Sequence, residues 1–122
     1  MRFKFYNRQP LGKIEQDCVC RAISLALNKD YYAIEEKLKM VGYLFNCEEL
    51  CVCCYKHLLD YVYDLPRIEC YQGFTIREFM EKEPYGIYIV RVKGHLTCVI
   101  DGEIWDIWNC ENEIVDIVWQ VA

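Results

Sequence analysis

Three residue types in one chain order could carry out nucleophilic chemistry here: a cysteine where a helix begins, a histidine opening a strand, and an aspartate on the strand that follows. The cysteine lies in Gln16-Asp17-Cys18-Val19-Cys20-Arg21-Ala22-Ile23-Ser24. Asp17 is a favoured N-cap type, which makes Cys18 the first helical residue, where unpaired amides and the positive end of the helix dipole favour a thiolate. Such placement lowers a thiol from about 8.5 to somewhere around 3.5 to 7.5. Cys20 is the rival thiol, but it falls two residues into the helix, about 200° around the axis from Cys18. A thiolate needs a base, and a base needs an orienting group. His95 and Asp106 are the candidates, with Cys18 as nucleophile.

The elements that must position these residues follow from apolar spacing. Val19, Ala22, Ile23, Ala26 and Leu27 recur at three and four residues, one helical face, and Asn28 suits the end of that helix. Asp30 caps a second helix over Tyr31 to Met40, with Gly42 as its stop. A third helix is expected over 46–63, where Leu50, Cys54, Leu58 and Tyr61 keep the period, and Leu65-Pro66 ends it. Arg67 to Tyr71 reads as a short strand. Thr75-Ile76-Arg77-Glu78 is a capping-box pattern for a short helix to Lys82. Beyond Gly86, period-two alternation predicts strands at about 87–93, 95–101, 103–109 and 113–119, with tight turns at Asp101-Gly102 and Glu111-Asn112. Helices first and antiparallel strands afterwards give an α+β class, N-terminal helices packed on a C-terminal antiparallel sheet.

The Asp-Gly turn also fixes a register. With Asp101 and Gly102 as the loop, Ile100 pairs with Glu103, Thr97 stands opposite Asp106, and His95 opposite Trp108. His95, Thr97, Val99, Ile104, Asp106 and Trp108 then share one face, while Leu96, Cys98, Ile100, Trp105 and Ile107 share an apolar face expected to meet the core. His95 and Asp106 become diagonal neighbours, so an aspartate accepting from one imidazole nitrogen leaves the other to take a thiol proton.

Bulk properties narrow the classes. The chain has 122 residues, 54% of them apolar, enough for one domain over residues 1–122 with its own core. Its 14 basic and 19 acidic side chains give a net charge of -5, and no Lys/Arg run is long enough to follow a phosphate backbone, so nucleic acid is not expected as a partner. Charges every two or three residues near the N-terminus leave no signal-peptide core, and no stretch has the length of a membrane span. A cytoplasmic protein with no membrane partner is therefore expected. Its nine cysteines should be mostly reduced thiols.

Asp17 to Ser24, Thr75-Ile76-Arg77-Glu78-Phe79, and the run from Gly86 through Gly94-His95-Leu96-Thr97 to Asp101-Gly102 together resemble a family of small phage and Gram-positive bacterial proteins of papain-like cysteine peptidase fold. The resemblance implies a peptidase or isopeptidase that cleaves a peptide or protein substrate through a thioester. It implies Cys18 as nucleophile, His95 as base and Asp106 as orienting acid. Papain-like enzymes usually carry an oxyanion glutamine six residues before the cysteine; Gly12 occupies that position here, and Gln16 is the oxyanion candidate, with Asn7 and Gln9 further back. The alternative expectation is a catalytically weak or inactive binding module of the same fold, a phage protein acting on a host factor.

Cys47, Cys51, Cys53, Cys54 and His57 offer five metal-ligating groups in eleven residues. On a continuous helix, Cys47, Cys51 and Cys54 would share one face and Cys53 and His57 another. Structural zinc sites more often draw two ligand pairs from separate elements, so packing is the default reading of this stretch, and no metal or other cofactor is expected. Arg21, next to the nucleophile, could hold a substrate carboxylate or stabilise the thiolate but reads first as a helix-surface ion-pair residue, and Trp108 as either a cover for the His–Asp pair or an ordinary core aromatic. The sequence leaves the oligomeric state open.

Overall fold

The hairpin that carries His95 and Asp106 forms around its turn. In a computed structural model, which describes residues 2–48 and 51–122, Asp101 (φ 48°) and Gly102 (φ 72°) take the two left-handed conformations of a type I′ turn. Strand β3 (His95–Ile100) pairs with β4 (Glu103–Asp106) through Ile100 with Glu103, Val99 with Ile104 and Cys98 with Trp105. The turn is pinned from outside, since the Gly86 amide donates to Asp101 Oδ1 (2.9 Å) and the Asp101 amide to the Gly86 carbonyl (2.8 Å).

Around this hairpin the protein is α+β, with a five-stranded mixed sheet. Strand β1 (Phe3–Phe5) lies parallel to β4, strand β2 (Ile87–Val92) antiparallel to β3, and strand β5 (Ile117–Gln120) antiparallel to β2, giving the order β1-β4-β3-β2-β5. The purely antiparallel C-terminal sheet expected from the strand pattern is thus corrected at both edges. The N-terminal alternation of Phe3 and Phe5 supplies a parallel edge strand. The last strand does not follow β4 in a hairpin. Instead, residues after Glu111 run past the start of α4 (Ile76–Lys82), where the Ile76 and Arg77 amides donate to the Glu113 and Glu111 carbonyls, and the chain reaches the sheet's opposite edge. Strand β4 accordingly ends at Asp106 and β5 is only four residues long.

Both faces of the sheet are covered. Helix α1 (Cys18–Leu27), helix α2 (Tyr31–Phe45) and helix α3 (Val52–His57) bury Val19, Ile23, Ile34, Leu38 and Cys54 against Ile89, Leu96, Cys98 and Trp119. On the other side, α4 buries Ile76, Phe79 and Met80 against Tyr88, Val90, Val99, Ile104 and Val118. The face bearing Val99 and Ile104 is therefore core as well, and only the end carrying His95 is left for chemistry.

Helix ends account for the remaining differences. Asp30 caps α2 as expected, accepting from the Ala33 amide (3.1 Å), but the helix runs through buried Gly42 to Phe45, and Asn46 (φ 54°) is its left-handed closure. The third helix is not continuous over 46–63. It starts at Val52 with Cys51 as its cap and loosens into a π-helical turn over Leu58–Val62, where the Tyr63 amide donates to the Leu58 carbonyl (2.9 Å); Leu50 lies outside the described residues. Arg67 makes a single bridge to Trp119, and Glu69–Tyr71 is a 3₁₀ turn rather than a strand. The capping box at Thr75 and Glu78 forms in both directions. No helix among the described residues is long and apolar enough to cross a membrane.

Because the hairpin turn sets which residues face Asp106, its backbone is testable. Gly102→Ala places a Cβ at φ 72° and 3.3 Å from the Pro84 carbonyl oxygen, and is expected to cost about 1 kcal/mol or more of unfolding free energy in urea denaturation. Asp101→Asn, which tolerates the left-handed region and keeps an acceptor for the Gly86 amide, is expected to cost less.

Candidate functional site

Antiparallel pairing puts the start of β3 and the end of β4 at the same end of the sheet, and α1 packs along β3 with its N-terminus at that end. The structure thus brings Cys18, His95 and Asp106 together. His95 Nε2 bonds Asp106 Oδ2 at 2.6 Å, which leaves Nδ1 as the nitrogen available to the Cys18 thiol. Trp108 is 43% exposed and sets its ring edge-on to His95, centroids 4.8 Å apart, as a partial cover rather than a core residue. Cys20 is 2% exposed and belongs to the core under α1.

Asp106 is saturated. Its Oδ2 accepts from His95 and from Thr97 Oγ1 (2.7 Å), and its Oδ1 from Arg21 Nη1 (2.7 Å) and the Ile107 amide (2.7 Å). A carboxylate offers about four lone-pair sites, so none remains. From outside, β1 supports the same residue: Phe5 is its register partner and the Tyr6 amide donates to its carbonyl (2.9 Å).

Arg21 departs most from its expected role. It is buried, and its Nε donates to Asp17 Oδ1 (2.7 Å) while Nη1 donates to Asp106, so it joins the helix start to the end of β4. Asp17 Oδ2 in turn accepts from the Tyr31 hydroxyl (2.7 Å). Asp17 is the residue before the helix as expected, but its side chain makes no capping bond. With that carboxylate turned to Arg21 and Tyr31, the first-turn amides have no side-chain cap and remain available to negative charge. The spacing of Asp17 and Arg21, four residues on one helix, is the one sequence signal for this network; its burial depends on β4, which no local pattern discloses.

The charges act on one another. Burial pushes the Cys18 thiol up, but hydrogen bonding from His95 and the Leu96 amide, together with the His95 and Arg21 charges, outweighs it and holds the thiol below its ordinary value. Burial opposes the charged imidazole of His95, yet Asp106 and Cys18 raise its pKa to about 9. Asp106 is driven up by burial and more strongly down by His95 and Thr97, and ends below the usual carboxylate range. Both shifts move the pair toward a thiolate beside an imidazolium.

Two wings of one cleft meet at Cys18, Val19, Gly94 and His95. The first, of 280 Å³, is walled by Cys51, Val52, Tyr55, Arg91 and Leu96. Arg91 is held in place there, donating from Nε to the Tyr55 hydroxyl (2.8 Å) and pairing with Asp116. The second, of 550 Å³, is walled by Glu15, Gln16, Arg21, Ile107 and Trp108. Gln16 is exposed and lines the cleft beside Cys18. Asn7 and Gln9 are used instead to fold the loop before α1: Gln9 Oε1 accepts from the Leu11 and Lys13 amides (2.8 and 3.0 Å), and Asn7 Nδ2 donates to the Lys13 carbonyl (2.9 Å).

Other cysteines lie near the cleft. Cys110 has its sulfur close to His95 and Asp106, so these three could hold a cation on spacing alone. Asp106 has no acceptor position left for one, the Arg21 guanidinium already occupies its charge, and burial pushes the Cys110 thiol up to about 12. Cys51 is a rival thiol on the cleft wall; burial raises it, while Cys53 and the amides starting α3 lower it further, for a net decrease. The expected grouping of the cysteine-rich stretch is redrawn. Cys47, Cys51 and Cys53 come together, Cys54 is buried with its sulfur donating to the Leu38 carbonyl (3.2 Å), and His57 stacks on Phe45 at 4.4 Å.

No protein-family model, no curated protein and no solved structure matches the chain.

The network predicts a ranking of stabilities. Arg21→Met leaves two buried carboxylates without their cation and is expected to cost about 3–5 kcal/mol in urea denaturation near neutral pH. Thr97→Val removes one hydrogen bond to a charged group, about 1.5–3 kcal/mol. Because the folded-state pKa of Asp106 is depressed, its contribution is present above its unfolded value of about 3.9 and is lost as pH falls through the lower folded value. The Thr97→Val deficit should therefore shrink on acidification.

Proposed function

We propose that the protein is a cysteine hydrolase of papain-like fold, a peptidase or isopeptidase acting on a peptide or protein substrate through a thioester on Cys18. The observation that carries this reading is the imidazole of His95 held between a saturated, buried Asp106 and a thiol at the start of a helix. A structural histidine needs only a partner for each nitrogen; it does not need a thiol of lowered pKa on a cleft floor.

The chemistry follows from the charge state. The Cys18 sulfur attacks the substrate carbonyl carbon, and the oxygen that becomes negative is stabilised by the Cys18 amide and the Gln16 side chain. His95 Nδ1–H then gives its proton to the leaving amine as the carbon–nitrogen bond breaks, leaving an acyl thioester and a neutral imidazole. Water attacks the thioester, His95 takes its proton, and the Cys18 thiolate is released with the imidazolium restored. Asp106 keeps the ring oriented throughout and favours its charged form whenever the proton returns to it. Val19, Val52, Tyr55 and Leu96 in the narrower wing favour an apolar side chain next to the scissile bond.

Site-resolved alkylation by iodoacetamide, read by mass spectrometry against pH, tests the pair. Cys18 is expected to stay reactive below pH 7, where an ordinary thiol loses reactivity about tenfold per pH unit, and His95→Ala should return Cys18 to that ordinary profile. Hydrolysis of peptides carrying apolar side chains is expected to fall about 10²–10⁴-fold in His95→Ala and about 10²-fold or more in Gln16→Ala. The wild-type rate should decline as pH rises through about 9 and His95 loses its proton. Equal alkylation of Cys18 and Cys70 below pH 7, unchanged by His95→Ala, would overturn the reading in favour of a binding module.

A further inference from the structure

We propose that Cys47, Cys51 and Cys53 form a binding site for one thiophilic d¹⁰ metal ion, Zn(II) or Cu(I), which uses none of Cys18, His95 and Asp106 although Cys51 also lines their cleft. Their three sulfur atoms lie within 4.8 Å of one another, and the Cys51 and Cys53 sulfurs are 2.8 Å apart. A metal with sulfur ligands at about 2.3 Å holds those sulfurs about 3.8 Å apart in tetrahedral geometry. The 2.8 Å and 4.8 Å limits of the present spacing each lie about 1 Å from that value.

Backbone hydrogen bonds hold Cys47 and Cys51 in place. Cys47 follows the closure of α2 and its amide donates to the Gly42 carbonyl (3.0 Å); Cys51 caps α3, its amide donating to the Glu48 carbonyl (3.0 Å) and its carbonyl accepting from Tyr55 (3.3 Å). Cys53 stands in the first turn of α3. Two elements thus supply the ligands, and α3 brings two of them. None of the nine cysteines is in a disulfide, Cys53 is exposed and the other two are half-buried, so an ion has an open approach. Crowding three thiols on a surface serves no packing purpose comparable to that of Cys54, which is fully buried beside them.

The donor set fixes the class of ion. Three sulfurs with no carboxylate in the group select soft cations over Mg²⁺, Ca²⁺ or Mn²⁺. Cys54 is fully buried behind the group and donates to the Leu38 carbonyl, so the three more accessible sulfurs are the proposed ligands. Zn(II) would complete four-coordination with water or an added ligand, whereas Cu(I) would be satisfied as a trigonal complex. Each thiol gives up its proton to solvent as its sulfur–metal bond forms, three protons for each ion bound, with no change of oxidation state.

The experiment uses the full chain, reduced and stripped with a chelator, titrated with Zn(II) or with Cu(I) against a chromophoric competitor, and with Co(II) for its sulfur-to-metal charge-transfer absorption. The expected result is one Zn(II) or Cu(I) per chain. Cys47→Ser, Cys51→Ser and Cys53→Ser should each weaken binding by more than the roughly 10–100-fold typical of outer-shell changes, while Cys18→Ser and Cys70→Ser leave it unchanged. Circular dichroism confirms that each variant is folded. One-to-one binding of Cu(I) alone that requires all three cysteines supports the trigonal form. The proposal is overturned if neither ion binds at one per chain, or if the Cys47→Ser/Cys51→Ser/Cys53→Ser variant binds as tightly as the wild-type chain.

Discussion

A buried carboxylate is tolerated only when every acceptor position is met, since removing a charge from water costs several kcal/mol that one partner rarely returns. Asp106 meets that condition with four donors drawn from α1, β3 and its own chain neighbour. Its requirement governs much of the architecture. Thr97 must stand opposite it, which fixes the hairpin register; Arg21 must reach it from α1, which fixes how far that helix advances along β3. The apolar face of α1 would permit several positions along the sheet. A guanidinium spanning Asp17 and Asp106 selects the one that sets Cys18 beside His95.

The chain of charges alternates in sign from Asp17 through Arg21, Asp106 and His95 to Cys18. Burial opposes each charged member, so what matters is whether neighbours compensate. For Asp106 and His95 they do, and both move toward their ionised forms. Arg21 acts on both ends, because its charge favours the Asp106 carboxylate directly and the Cys18 thiolate at longer range. A weaker acid at position 106, or a carboxylate shared with solvent, would favour the charged imidazole less. Neither condition holds here, since Asp106 is 3% exposed.

The parts of this arrangement legible in the sequence are those decided locally. Asp101-Gly102 between alternating strands dictates a turn type and hence a register, and Thr75 with Glu78 dictates a cap; both depend on residues within a few positions of each other. The fate of the last strand was not legible because either sheet edge could accept it, and the parallel β1 occupies the edge beside β4. Gly42 reads as a helix stop only while its burial against neighbouring elements is unknown. Counting cysteines around one long helix fails for a related reason: the chain leaves the helix at Asn46 and re-enters at Val52, so helical phase does not carry across and Cys53 joins Cys47 and Cys51 instead of His57. For Arg21 the ion-pair spacing to Asp17 was visible, but a charged residue four positions from its partner is usually solvated, and only the approach of β4 makes it interior.

Asp17 shows how a local rule can hold in position and fail in mechanism. Its residue type and place are those of an N-cap, and α1 does begin at the next residue. The carboxylate nevertheless satisfies Arg21 and the Tyr31 hydroxyl rather than the helix amides. Had it capped the helix, its negative charge would stand over the first turn, opposing a thiolate at Cys18 and competing for the amides that an oxyanion would need. Turning that carboxylate to Arg21 and Tyr31 removes the competition. It also places the compensating cation between two anions, where it neutralises charge away from the sulfur. The arrangement that stabilises the buried network and the arrangement that leaves the helix start open to negative charge are therefore one geometry, set by which way a single aspartate turns.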